Sequence, residues 1–199
     1  MFESLLKLFG LSKKAKADKE LNKQIEKSIQ DFMNRPIYRK LTAEIIDSTS
    51  DDTLLQTVFD NLSEKFSTDK SEYETVFEFN KSQQAIYVIW ALEAEVNNGG
   101  FNQYYTNSSG QFANLTSDAL KLIGANKFSD LIAEVDEIYN SQKEIITKYQ
   151  DGTPEGFSKS YEDNPLNKYD NEFHAYYKYE DLMKLQTNFI RKNKNDFID

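Results

Sequence analysis

The sequence predicts an all-α fold. We expect a single multi-helix domain around a buried central helix at about residues 84–97, with an N-terminal helical arm before it. Three observations predict this. Apolar residues recur at three- and four-residue spacing through most of the 199 residues. The chain holds only 3 prolines and 7 glycines, few for a turn-rich β architecture. From Ala85 to Leu92 the only polar side-chain groups are the Tyr87 hydroxyl and the Trp90 indole nitrogen. A helix apolar nearly all round is a buried one.

The elements follow in order. Phe2, Leu5, Leu6 and Phe9 sit at i, i+3, i+4 and i+7, an amphipathic helix over Met1 to Gly10. It reads either as a weak anchor on an anionic surface or partner, or as a loosely docked N-terminus, which we prefer. Lysine-rich Ser12 to Lys19 looks like a linker. Leu21, Ile25, Ile29, Phe32 and Met33 mark a second helix, ending before Pro36 because the residue before proline avoids the helical region. Ile37 to Ile46 holds a short helix. Ser50, Asp51 or Asp52 caps the next, whose apolar face is Leu54, Leu55, Val58, Phe59, Leu62 and Phe66. Glu72 to Asn80 alternates like a strand but has no partner strand, so we read it as loop or irregular helix.

The central helix should stop at Asn97-Asn98-Gly99-Gly100, where glycine takes backbone conformations closed to other residues. Phe112 to Ile123 is a helix ended by Gly124, with Leu115, Ala119, Leu122 and Ile123 inside. Phe128 to Tyr149 has the clearest amphipathic pattern, with its apolar stripe running from Phe128 through Ile138 to Ile145, Ile146 and Tyr149. Asp151-Gly152-Thr153-Pro154 ends it. After a polar, aromatic stretch around Pro165, Asp170 or Asn171 caps one last long helix carrying Phe173, Tyr176, Tyr177, Leu182, Leu185, Phe189 and Ile190. Asn193 ends that helix, and Phe197 and Ile198 pack back.

Net charge is −9 over the chain but uneven. Residues 1–40 hold 10 Lys/Arg and 5 Asp/Glu, or +5; residues 41–199 hold 14 and 28, or −14. We therefore divide the chain into a basic arm, 1–40, and an acidic body, 41–199. An acidic body repels nucleic acid and membrane surfaces and attracts basic partners. Cysteine is absent, which removes disulfides, thiol nucleophiles and thiolate metal sites. One histidine, His174, excludes a histidine-rich metal site and has no assignable nucleophile. No cofactor is expected. No apolar run reaches membrane-spanning length and no signal peptide is visible, so the default location is cytoplasmic.

Two constellations invite function. The first is the turn Asn98, Gly99 and Gly100 with Asn102, Gln103 and Tyr104. It lacks the Lys-Ser/Thr of a phosphate loop. It reads as an interhelical turn whose amides satisfy helix ends or, less favoured, as a ligand or catalytic site. Glu93 and Glu95 point to nearly opposite sides of the helix, a poor acid/base pair. The second is the row Asp130, Glu134 and Glu137 at i, i+4 and i+7, with Glu144 two turns on. A helical turn rises about 5.4 Å, the same order as the ~3.4 Å rise per phosphate along a DNA strand. Such a row fits the groove of a DNA-binding protein. On sequence alone the favoured reading of the row is a solvated helix face with Lys127, Lys143 and Lys148 nearby.

The block Glu95-Val96-Asn97-Asn98-Gly99-Gly100-Phe101-Asn102-Gln103-Tyr104-Tyr105-Thr106-Asn107-Ser108-Ser109-Gly110 resembles the shared block of a bacterial DNA-mimic protein family. The stretches Tyr169-Asp170-Asn171-Glu172-Phe173 and Phe189-Ile190-Arg191-Lys192-Asn193 are similar too, and the resemblance spans roughly residues 80–199. It implies an all-α fold and, in the family's best-known type, a dimer whose acidic surface imitates duplex DNA. That type binds a helix-turn-helix repressor and keeps it off its operator. The expected function is thus a non-enzymatic interaction module, with Asp130, Glu134, Glu137 and Glu144 facing a basic DNA-binding protein and no direct contact with nucleic acid. A homodimer is compatible with this. The alternatives are a site at the Asn-Gly-Gly turn and an immunity-type protein that neutralises a toxin.

Overall fold

The computed structural model describes the backbone from residue 11 and the side chains from residue 21. The helix expected over Met1 to Gly10 lies outside the described residues. The chain divides into two units, residues 1–37 and 38–199. In the first, α1 spans Leu11–Met33. The lysine-rich stretch from Ser12 is therefore helix rather than linker, as lysine and alanine both favour. Arg35 closes α1, donating to the Phe32 carbonyl at 2.7 Å with its guanidinium 3.8 Å from the Phe32 ring centre.

The second unit is built only of helices and turns among the described residues. They are α2 (Ala43–Ser48), α3 (Asp51–Ser63), α4 (Glu72–Glu78), α5 (Lys81–Thr106), α6 (Ala113–Ile123), α7 (Asn126–Ser141), α8 (Lys143–Ile146), α9 (Pro154–Lys159), α10 (Asn167–Tyr176) and α11 (Leu182–Lys192). Short 3₁₀ turns lie at Ser108–Phe112 and Lys194–Asp196. No described helix is long and apolar enough to cross a membrane.

The buried central helix is α5. Ala85 to Ile89, Ala91 and Leu92 are all buried. Helices α3, α4, α6 and α10 pack around it. Trp90, half-buried, stacks on Phe59 of α3 with ring centres 3.5 Å apart. The helix begins at Lys81, earlier than expected. Asn80 accepts from the Gln83 backbone N–H at 2.9 Å and Gln83 returns a bond to Asn80. This reciprocal cap fixes the first turn.

Several boundaries differ from the sequence reading, each for a local reason. Within Glu72 to Asn80, residues Glu72 to Glu78 form a regular helix, α4, since Ser71 and Glu74 form the same reciprocal cap. Residues 37–42 are not helical, and α2 starts only where Thr42 caps the Ile45 N–H. The long helix over 128–149 breaks at Gln142, separating α7 from α8. The Ser141 hydroxyl bonds back to the Ile138 carbonyl at 3.2 Å and competes with the helical ladder. The break turns Ile146 into the core and leaves Ile145 exposed. Leu122 is likewise exposed. The last long helix is two, α10 and α11, and Asp181 caps the second at the Lys184 N–H, 3.0 Å away. Phe197 packs back as expected, while Ile198 stays exposed.

Candidate functional site: a capped kink inside and an acidic face outside

The Asn-Gly-Gly turn does not separate a helix from a loop. It kinks α5. Gly99 (φ −151°, ψ 24°) and Gly100 (φ 70°, ψ −174°) leave the helical region, and the chain resumes helix from Phe101 to Thr106. The Gly100 conformation is open essentially only to glycine. An added Cβ there would lie 2.3 Å from a carboxylate oxygen of Asp170.

That carboxylate explains the kink. A restarted helix exposes unsatisfied N–H groups at its first turn. Asp170, on α10, accepts the Phe101 N–H at 2.8 Å. It lies inside a helix, not at its cap, and caps a different helix across the core. Burial pushes its carboxyl above the usual range, while the Phe101 bond pulls it down. Glu180 plays the same part for α7, whose N-terminal Ala125 offers no side-chain cap. It accepts the Lys127 N–H at 3.0 Å and the Phe128 N–H at 3.3 Å. A negative charge at a helix N-terminus also meets the macrodipole favourably.

Of the turn's amides, Asn102 is buried and Gln103 half-buried, while Asn98 is exposed. Asn102 is buried, donating to the Ser160 hydroxyl at 2.7 Å and accepting from Asn164 at 3.0 Å. Tyr104 is buried with its hydroxyl 2.9 Å from that of Thr116. Gln103 accepts from Asn98 at 3.0 Å and donates to Glu95 at 2.6 Å. Glu95 also accepts from Asn107 and Ser109. The Tyr161 hydroxyl donates to the Gly99 carbonyl at 2.8 Å. Glu93, on the other side of α5, accepts from Tyr177 at 2.7 Å and Gln186 at 2.8 Å, and burial raises its carboxyl above the usual range.

The acidic row lies on the outer side of α7. Phe128, Leu131, Ile132 and Val135 are buried on one face, while Asp130, Glu134 and Glu137 are exposed on the other. Among the described residues only Glu134 of the three is held: it accepts from the Tyr169 hydroxyl of α10 at 2.6 Å. This bond brings α10 beside the row. Lys168 there is held charged by Tyr169 first and by the charges of Glu134 and Glu172 besides. The sequence reading missed Glu172 as a neighbour of the row, because only packing puts α10 next to α7. Glu144 is exposed too, but it sits on α8, past the break, and does not continue the row along one axis. His174 is exposed on α10.

Together these features define a body that is helical throughout its described residues, with carboxylates around the kink turned inward onto backbone N–H groups and amides and those of the α7 row turned outward. A family model described as DMP19-like protein matches residues 77–193, from within α4 to the end of α11. The match spans more than half of the chain, and the chain belongs to the DMP19-like family. No curated protein and no solved structure matches it.

Proposed function

We propose that this chain is a non-enzymatic interaction module of the DNA-mimic kind, which offers the outer face of α7 to a basic DNA-binding protein. The observation that carries this reading is the sidedness of α7. Its inner face is fully committed to the core, and Asp130, Glu134 and Glu137 all stand in solvent on the other. Membership of a DNA-mimic family supports it, as does the −14 charge of residues 41–199.

At 1.5 Å rise per residue, these three carboxylates fall roughly 4.5–6 Å apart along the axis, the order of phosphate spacing. Like charges at this spacing repel by a few tenths of a kcal/mol per pair. A basic groove would relieve that repulsion, so binding is favoured by the same feature that costs the free protein a little. Glu172 of α10 widens the face, and Glu144 adds charge from a second direction. A helix-turn-helix regulator is the partner class this fits, with two copies of the chain presenting two such faces. A ligand or catalytic site at the kink is disfavoured, because the polar groups of Asn102, Gln103 and Tyr104 are already engaged with one another's neighbours.

The test is capture at low salt with the immobilised chain, followed by elution with duplex DNA. The expected result is a DNA-binding protein released by DNA and by salt, since exposed charges are screened beyond about 8 Å at physiological ionic strength. Retention of no DNA-binding protein, or of one that duplex DNA fails to displace, would sink the reading.

A further inference from the structure

Beside the acidic row, α7 carries one more carboxylate, and it is neither outward nor a cap. Asp136 lies in a polar groove between the second limb of α5, the 3₁₀ turn, the start of α6 and α7. Asn107, Asn114, Asn140, Tyr105 and Tyr139 line it with Asp136. Asp136 Oδ1 accepts a hydrogen bond from the Tyr105 hydroxyl. Among the described residues, nothing meets Oδ2. Asn107 donates its amide nitrogen to Glu95 at 2.8 Å, which leaves its carbonyl oxygen as an acceptor. The Tyr105 and Tyr139 rings stack 3.9 Å apart at 8°, forming an aromatic wall.

This inventory selects an occupant. The groove offers acceptors, one negative charge and a π surface. A divalent ion would need more carboxylates, and among the described residues no cluster of acids or histidines is placed to hold a metal. An ammonium is compact and strongly hydrated. A guanidinium is planar, weakly hydrated, rich in donors and stacks on aromatic rings. The Tyr139 ring already draws a cation, for Lys143 Nζ lies 5.7 Å from its centre.

We propose that this groove receives one arginine side chain of the basic partner, its guanidinium bonded to Asp136 Oδ2 and to the carboxamide oxygens around it. The inference rests on the mimic reading and adds to it a point of anchorage. A row of exposed carboxylates gives attraction and rate; a partly desolvated charge-assisted bond gives register. Lys143 contends for the same space, and its removal tightens binding.

Asp136 also makes the anchor pH-dependent. The charged and titratable groups facing it are Tyr105 and Tyr104 from α5, Tyr139 from its own helix and Lys143 from α8. The 3₁₀ turn and α6 contribute only neutral residues to the groove. Burial pushes the Asp136 carboxyl up to about 6, against a smaller pull from the Tyr105 bond.

The experiment titrates the full chain with Nα-acetyl-arginine amide, and with the lysine analogue, while following the side-chain amide NMR signals of Asn107, Asn114 and Asn140. The arginine probe shifts these signals and the lysine probe does so several-fold more weakly. Between about pH 7.5 and about pH 5 the arginine affinity falls roughly tenfold, as Asp136 takes up its proton. Asp136→Asn, which keeps an acceptor for Tyr105, abolishes both the binding and its pH dependence. Tyr139→Leu weakens binding without touching the carboxylate. No shift with the arginine probe, or an unchanged shift in Asp136→Asn, overturns the proposal. If DNA-displaceable capture persists in that case, only the groove falls. If arginine binds the groove and no DNA-binding protein is captured, the guanidinium site stands and the mimic reading falls.

Discussion

The kink of α5 and the outer face of α7 use the same chemistry to opposite ends. At the kink, Asp170 is held against a backbone N–H, and Glu95 against three side-chain donors. On α7, Asp130 and Glu137 have no hydrogen bond or ion pair among the described residues. A carboxylate that satisfies a buried donor is structural, and removing it strands that donor. A carboxylate facing water contributes almost nothing to stability and stays available to a partner. Acidity alone therefore does not mark function. What matters is whether a carboxylate is taken up entirely by the fold's own donors or keeps an oxygen open to solvent, as exposed Glu134 does beside its Tyr169 bond.

Substitutions inside should cost stability and those outside should not. The largest effect is expected at Gly100→Ala, where a positive φ meets the Asp170 carboxylate; chemical denaturation should show a loss of about 3 kcal/mol. Asp136 comes next. Its folded-state carboxyl is raised to about 6 from 3.8, so the native state holds the proton more tightly than the unfolded chain. Its contribution is most favourable below about pH 4 and is lost as pH rises through about 6. Relative to Asp136→Asn, the parent should lose up to about 3 kcal/mol between those limits, read from denaturation midpoints across pH.

Asp170→Ala should cost about 2 kcal/mol, because it strands the Phe101 N–H and removes a cap. Glu180→Ala should cost about 1 kcal/mol through the N-terminus of α7. Glu137→Gln should change stability by less than about 0.5 kcal/mol. A large loss there would erase the distinction between the two sets.

Much of the fold was legible in sequence. Apolar spacing located the helices, and the Ala85 to Leu92 run located the core. Chain breaks were less legible. Ile145 and Ile146 keep helical spacing with Ile138, so the pattern runs straight through Gln142. Leu182 and Leu185 do the same across the α10–α11 junction. The helix over Glu72 to Glu78 was hidden by alternating aromatics, although Ser71 and Glu74 stand at capping-box spacing.

The candidate site was legible in part. Asp130, Glu134 and Glu137 share a face by periodicity alone. The roles of Asp170 and Glu180 were not visible, because each caps a helix far away in sequence. Asp136 does not stand out in the sequence, where it is one of four acids on α7. Only packing against Tyr105 sets it apart, and no local pattern encodes that contact.

If the outward carboxylates of α7 bind a basic partner while the inward ones hold the fold, one triple variant separates the two roles: Asp130→Asn with Glu134→Gln and Glu137→Gln, which keeps an acceptor for the Tyr169 hydroxyl. Its affinity for the DNA-binding protein captured by the parent should be measured beside its unfolding free energy. The expected result is at least a tenfold loss of affinity at low salt, about 1.4 kcal/mol or more, with unfolding unchanged. Full affinity in a variant as stable as the parent would contradict it.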